Sequence, residues 1–123
     1  MLAPGLSATV LLTVTDADTA QALGSGDVPV LGTPRVVALV EAATVAATAR
    51  ALPPGQTTVG VRVELDHLAP TPVGRTVSAK ATLSATDERR LTFEVIVHDG
   101  ETVAAQGIIR RVLVDRQRFL ERL

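Results

Sequence analysis

Five stretches of the chain alternate apolar and polar side chains with the period of a β-strand, and one stretch of helical length is apolar almost without a break. Residues 7–15 place Val10, Leu12 and Val14 on one face. Residues 58–68 place Val59, Val61, Val63, Leu65 and His67 on one face and Gly60, Arg62, Glu64 and Asp66 on the other. Residues 75–85 alternate through Val77, Ala79, Ala81 and Leu83, and residues 91–97 through Leu91, Phe93, Val95 and Val97. A last strand is expected over residues 102–114. Turn-forming residues separate these segments: a proline and glycine loop at 69–74, a turn at 87–90, and Asp99 with Gly100, which reads as a hairpin.

The unbroken apolar stretch follows Gly32. Thr33 and Pro34 match the N-cap and first position of a helix, which is expected to reach about Leu52, where Pro53, Pro54 and Gly55 stop it. A helix apolar on nearly every side belongs inside other structure rather than on a surface. A helical turn near residues 19–23 and a terminal helix capped by Asp115, with Phe119, Leu120 and Leu123 on it, complete the elements. Strand, long helix, then three or four antiparallel strands predicts a single α+β domain over residues 1–123, an antiparallel sheet wrapped around one long central helix. A thin sheet covers only part of such a helix, so a homodimer is expected.

Composition narrows the function. The net charge of −1 and two phenylalanines as the only aromatic residues disfavour nucleic acid and anionic membranes as partners. Without cysteine there is no disulfide, thiolate nucleophile or thiolate metal site. Two histidines, His67 and His98, make a poor metal set, and no metal or cofactor is expected. The first 34 residues carry no Lys or Arg, which speaks against a secretory signal, and residues 36–49 are too few to span a bilayer. A cytoplasmic protein is expected.

Candidate chemistry starts from Glu41, the only ionisable residue between Arg35 and Arg50. A carboxylate in apolar surroundings reaches water, is paired, or is kept for chemistry, because desolvating it unpaired costs several kcal/mol. His67 ends the strand face that should meet the helix. A buried imidazole beside a buried carboxylate would stabilise both charged forms and make an acid–base pair; the plainer reading is a half-exposed strand-end histidine. Thr33 is first of all a cap, although free N–H groups at a helix start also suit a developing oxyanion. Thr33 and Glu41 lie about 12 Å apart along a helix. Gly60 in mid-strand marks a bulge or the close approach of a ligand or backbone. His98 reads as a solvated turn residue. Arg110, Arg111, Arg116, Arg118 and Arg122 could hold the phosphates of a nucleotide tail, but charged strand and helix ends are usually just solvated.

Thr33 and Glu41 in an apolar helix, then Gly60, His67 and the proline loop at 69–74, then His98-Asp99-Gly100 and the strand at 107–114, resemble the fluoroacetyl-CoA thioesterase-like branch of the hotdog-fold superfamily. The resemblance covers roughly residues 28–123. It implies a hotdog fold and a homodimer with active sites at the subunit interface, further pairing to tetramers being open. It also implies hydrolysis of an acyl-CoA thioester by a catalytic set falling on Thr33, Glu41 and His67, with the Gly60 backbone approaching the thioester. CoA enters only as part of the substrate. In this reading His67 handles protons, Glu41 activates water or attacks the carbonyl, and Thr33 orients or polarises. Residues 24–32 contain no aromatic wall for a small acyl group, so specificity for fluoroacetyl-CoA does not carry over and a small or medium acyl group is expected. Two other classes compete: a non-catalytic acyl-CoA or small-ligand binding protein, and an enoyl-CoA hydratase, against which the lack of an Asp-x-x-x-x-His spacing argues.

Overall fold

In the computed structural model, which describes residues 2–123, strands β1 (Ser7–Thr13), β2 (Gln56–His67), β3 (Thr76–Asp87), β4 (Arg90–Asp99) and β5 (Thr102–Asp115) form one sheet. The order is β1-β3-β4-β5-β2, and every neighbouring pair is antiparallel. Helix α1 (Ala20–Leu23) follows a 3₁₀ turn at Asp16–Asp18, α2 (Thr33–Thr48) is the long helix, and α3 (Arg116–Glu121) ends the chain. Two-residue connections close both hairpins, with Glu88 (φ 55°) and Gly100 (φ 60°) taking the left-handed conformation that tight turns need. Asp115 caps α3 as expected, accepting a hydrogen bond from the Arg118 N–H.

The core is the interface of α2 with the concave side of the sheet. Val36, Leu39, Val40, Ala43 and Ala47 of the helix meet Val77, Ala79, Ala81, Leu83, Leu91, Phe93, Val97 and Ile109. Each large apolar side chain buried there stabilises the fold by about 1.5–3 kcal/mol. Thr44 and Thr48 are buried too, and their hydroxyls are satisfied by back-bonding to the Glu41 and Thr44 carbonyls.

The helix departs from its expected form in two ways. It ends at Thr48, and turns rather than helix lead to Pro53. Gly32 is the N-cap, with Thr33 already helical and no side chain capping the first turn. As expected, the sheet covers only part of it: α2 packs mainly on β1 and β3, so Ala38, Ala42, Val45 and Ala46 face outward.

The expected apolar face of β2 is also broken. A bulge between Gly60 and Arg62 inserts Val61 into the ladder with β5. Each residue added to a strand flips the faces that follow. Thr58 and Gly60 therefore face α2 before the bulge and His67 faces it after, while Val61 is 60% exposed. Gly107, opposite Leu65, allows a second close approach, because a Cβ there would run into the Glu64 carbonyl.

Candidate active site

Two polar pairs sit where α2 passes over β2. At the helix start, Thr33 Oγ1 and His67 Nδ1 are 2.7 Å apart. Because Gly32 holds the cap position, the Thr33 hydroxyl is free to meet the histidine. His67 is fixed at the end of β2, where the next two N–H groups, of Leu68 and Ala69, both donate to the Ala104 carbonyl at 2.7 and 3.2 Å. Its Nε2 is buried with no hydrogen-bond partner. Burial pushes the imidazole pKa below its usual 6.5, favouring the neutral ring. Such a ring, held at one nitrogen and unpartnered at the other, is equipped to take or give a proton.

Two turns along the helix, Glu41 is not paired with His67 as expected. Arg111 of β5 donates from Nη1 to Glu41 Oε2 at 3.1 Å, from Nε to Thr58 Oγ1 at 2.9 Å and from Nη2 to the Thr58 carbonyl at 3.0 Å. Arg111 is 7% exposed, and burial pulls its guanidinium pKa down while the Glu41 carboxylate pushes it back up. The Glu41 side chain keeps 34% of its exposure, so its carboxylate is tethered at one oxygen and open to solvent. Histidine gives way to arginine as the partner for a geometric reason. Glu41 lies two helical turns from Thr33, which already holds His67, whereas Arg111 stands directly opposite Gly60 beneath Glu41.

Gly60 is what makes room for this pair. A Cβ there would stand 2.5 Å from Glu41 Oε2 and 3.2 Å from Arg111 Nη1. The missing side chain thus has a cause, the passage of a carboxylate and a guanidinium over the strand, and the bulge follows immediately after it.

Arg111 is the residue that sequence reasoning missed, having grouped it with Arg110 as a charged strand end. Alternation along β5 holds the signal: Ile109 is fully buried, so Arg111 points inward and Arg110 outward. An open cleft of about 340 Å³ begins at Thr33 and His67 and runs along residues 25–32 and 68–70. Among the described residues, no group of three or more His, Asp or Glu is placed to hold a metal. Among the described residues no helix is long and apolar enough to cross a membrane.

Comparison with known proteins agrees with this geometry. The model of a family described as fluoroacetyl-CoA-specific thioesterase (FlK) matches residues 14–117. The fluoroacetyl-CoA thioesterase of Streptantibioticus cattleyicolor is 36% identical over 90 residues, 73% of this chain and 65% of that protein's length. A threonine-to-serine variant of FlK, solved in complex with acetyl-CoA, superposes with a TM-score of 0.92 at 29% identity, covering 98% of this chain and 96% of that one. A hot-dog-like protein from Thermanaerovibrio acidaminovorans shares the fold at 23% identity and a TM-score of 0.88, covering 97% and 88% of the two chains. The expected hotdog architecture is therefore the observed one, and the chain belongs to the fluoroacetyl-CoA-specific thioesterase family.

Proposed function

We propose that this protein hydrolyses acyl-CoA thioesters to the free acid and CoA, with Thr33, Glu41 and His67 as its catalytic residues. The observation that carries the reading is the pair of preorganised polar contacts, Thr33 with His67 and Glu41 with Arg111, on a family-matched hotdog scaffold. Water attacks the thioester carbonyl carbon, the C–S bond breaks, and CoA leaves as a thiolate that takes up a proton. His67, half-buried and biased towards the neutral ring, moves protons in these steps, and the Thr33 hydroxyl fixes its ring. Glu41 activates the water or attacks the carbonyl itself to form an acyl-glutamyl anhydride. Water then opens that anhydride, and single turnover in ¹⁸O-water reads the route: label on Glu41 with unlabelled acid marks an anhydride opened at the glutamyl carbonyl, whereas direct water attack labels only the acid. The Gly60 backbone lies beneath the reacting group, and the reaction draws on water alone, with no cofactor or metal.

The active unit in this reading is a homodimer. Within one chain, Thr33 and His67 are separated from Glu41 by about 12 Å of helix. The outward face of α2 is apolar, and β2 is an edge strand with Val61 60% and Val63 41% exposed. A two-fold axis passing near Val37 and Val63 would set Thr33 of one protomer against Glu41 of the other, and the Gly60 end of one β2 against the His67 end of its partner. Such an axis would complete each site with residues of both protomers. A cytoplasmic setting fits the CoA substrate.

The test is thiol release by purified protein on a panel of acyl-CoAs. Turnover that is lost in Glu41→Gln and in His67→Ala, with folding intact, is the expected result. No turnover on any member, or full activity in both variants, overturns the assignment.

A further inference from the structure

The cleft beside Thr33 and His67 has walls that say what enters it. Its floor is Ala20, 8% exposed, and Leu31, 1% exposed. Backbone hydrogen bonds hold that floor in place: Ala20 N–H to the Val30 carbonyl at 2.8 Å, Leu31 N–H to the Thr71 carbonyl at 2.8 Å, and Gly32 N–H to the Asp18 carbonyl at 2.9 Å. Val28 and Leu68, 50% and 56% exposed, stand at its rim. The cleft is therefore preformed, with an aliphatic floor and rim, while Ser25, Asp27, Thr33 and His67 supply its polar edge. Neither phenylalanine reaches it, Phe93 being fully buried in the core and Phe119 lying on α3.

Size and charge limit the occupant further. About 340 Å³ is an order of magnitude more than the roughly 30 Å³ share of one water-sized group, so an acetyl group would leave most of the cleft to solvent. No Lys or Arg lines it, and the one charged side chain at its edge besides the histidine is Asp27. A second carboxylate on the acyl chain would find no counter-ion and one like charge.

Resting on the thioesterase reading, we infer that this cleft is the acyl pocket and that it selects neutral aliphatic acyl groups of about four to eight carbons over acetyl and over dicarboxylic acyl groups. Selection comes from apolar burial. A fully buried methylene is worth about a fourfold change in affinity, and the half-exposed rim lowers that to about twofold at the far end.

The experiment measures kcat/KM on acetyl-, butanoyl-, hexanoyl-, octanoyl- and succinyl-CoA for the wild-type protein, Val28→Phe and Leu68→Phe. Wild-type kcat/KM is expected to rise at least tenfold from acetyl to hexanoyl, and succinyl is expected to fall at least tenfold below butanoyl. Either phenylalanine narrows the mouth and should lower the hexanoyl-to-acetyl ratio at least fivefold. Turnover that is highest on acetyl- or succinyl-CoA overturns the pocket assignment while leaving the thioesterase reading intact. So does a hexanoyl-to-acetyl ratio unchanged in both variants. No turnover on any thioester overturns both.

Discussion

Arg111 offers the sharpest test of how the site is built, because it touches the proposed chemistry only through Glu41. Arg111→Met keeps the length of the side chain and removes the fork. Thr58 then loses donors to both its hydroxyl and its carbonyl in a buried place, a cost of about 1–3 kcal/mol for each group left unsatisfied. The variant has no guanidinium to desolvate on folding, which offsets part of this. Glu41 is exposed enough to turn to water, so its lost ion pair adds less than about 1 kcal/mol. The net expectation is a destabilisation of about 2 kcal/mol, or roughly 8 °C in the melting temperature for a domain of this size. Activity should suffer more than stability. A carboxylate displaced by about 1 Å costs on the order of 100-fold in rate, and the loss should fall on kcat rather than KM. Arg111→Lys restores the charge but not the fork that joins Thr58 to Glu41, so it should recover stability better than kcat. The assays are urea unfolding and steady-state thiol release. An Arg111→Met protein within threefold of wild-type kcat would refute the argument that this arginine aims Glu41.

Further outcomes rest on the same structure. Thr33→Val should cost only about 1 kcal/mol of stability, the worth of its one hydrogen bond to His67, since Thr33 caps nothing, yet lower kcat at least tenfold. Gly32→Ala should do the reverse, because its Cβ would lie 3.1 Å from the Ala20 backbone; chemical unfolding beside thiol release separates the two. The Asp18 carboxyl pKa is lowered, first by the Thr15 backbone N–H, with the Thr15 hydroxyl and Arg35 adding to it against the opposing effect of burial. Its stabilisation is thus present above the usual carboxyl value of 3.8 and is lost as pH falls through the lower folded value; Asp18→Asn should flatten that acid limb in pH-dependent urea midpoints. His67 acts in a different window. Its folded pKa lies below 6.5, so the unfolded chain takes the proton first and stability falls as pH drops from 6.5 towards the folded value, and His67→Gln should remove this slope. Val63→Asp, on the edge strand, should give a monomer by light scattering that has lost thiol release; an active monomer would refute the shared site.

Where the residues of this site could be read in advance, they could be read because one local rule governed them, and where they could not, two rules competed. The strands β3 and β4 follow alternation as far as Leu83 and Val97, where the register shifts, and their inward residues up to those points are the core. Asp115 and the two hairpins are local decisions of capping and turn chemistry, and they hold for the same reason. At β2 the period-2 pattern of valines and leucine suggested one continuous apolar face. The glycine in its middle carried the contrary signal, and the glycine prevailed, because the strand had to pass beneath a carboxylate and its arginine. Thr33 shows the same competition: the cap rule fits the dipeptide Thr33-Pro34, but Gly32 takes the cap and the hydroxyl turns to His67. Arg111 was hidden because a sequence places two adjacent arginines together, whereas a strand sends them to opposite faces of the sheet. A carboxylate that seems to need a partner is therefore best matched by asking which cation the strand period turns inward, before looking for the nearest titratable group. Applied to Glu41, that question points to Arg111 rather than His67, and it leaves the histidine free for the threonine that the helix start presents to it.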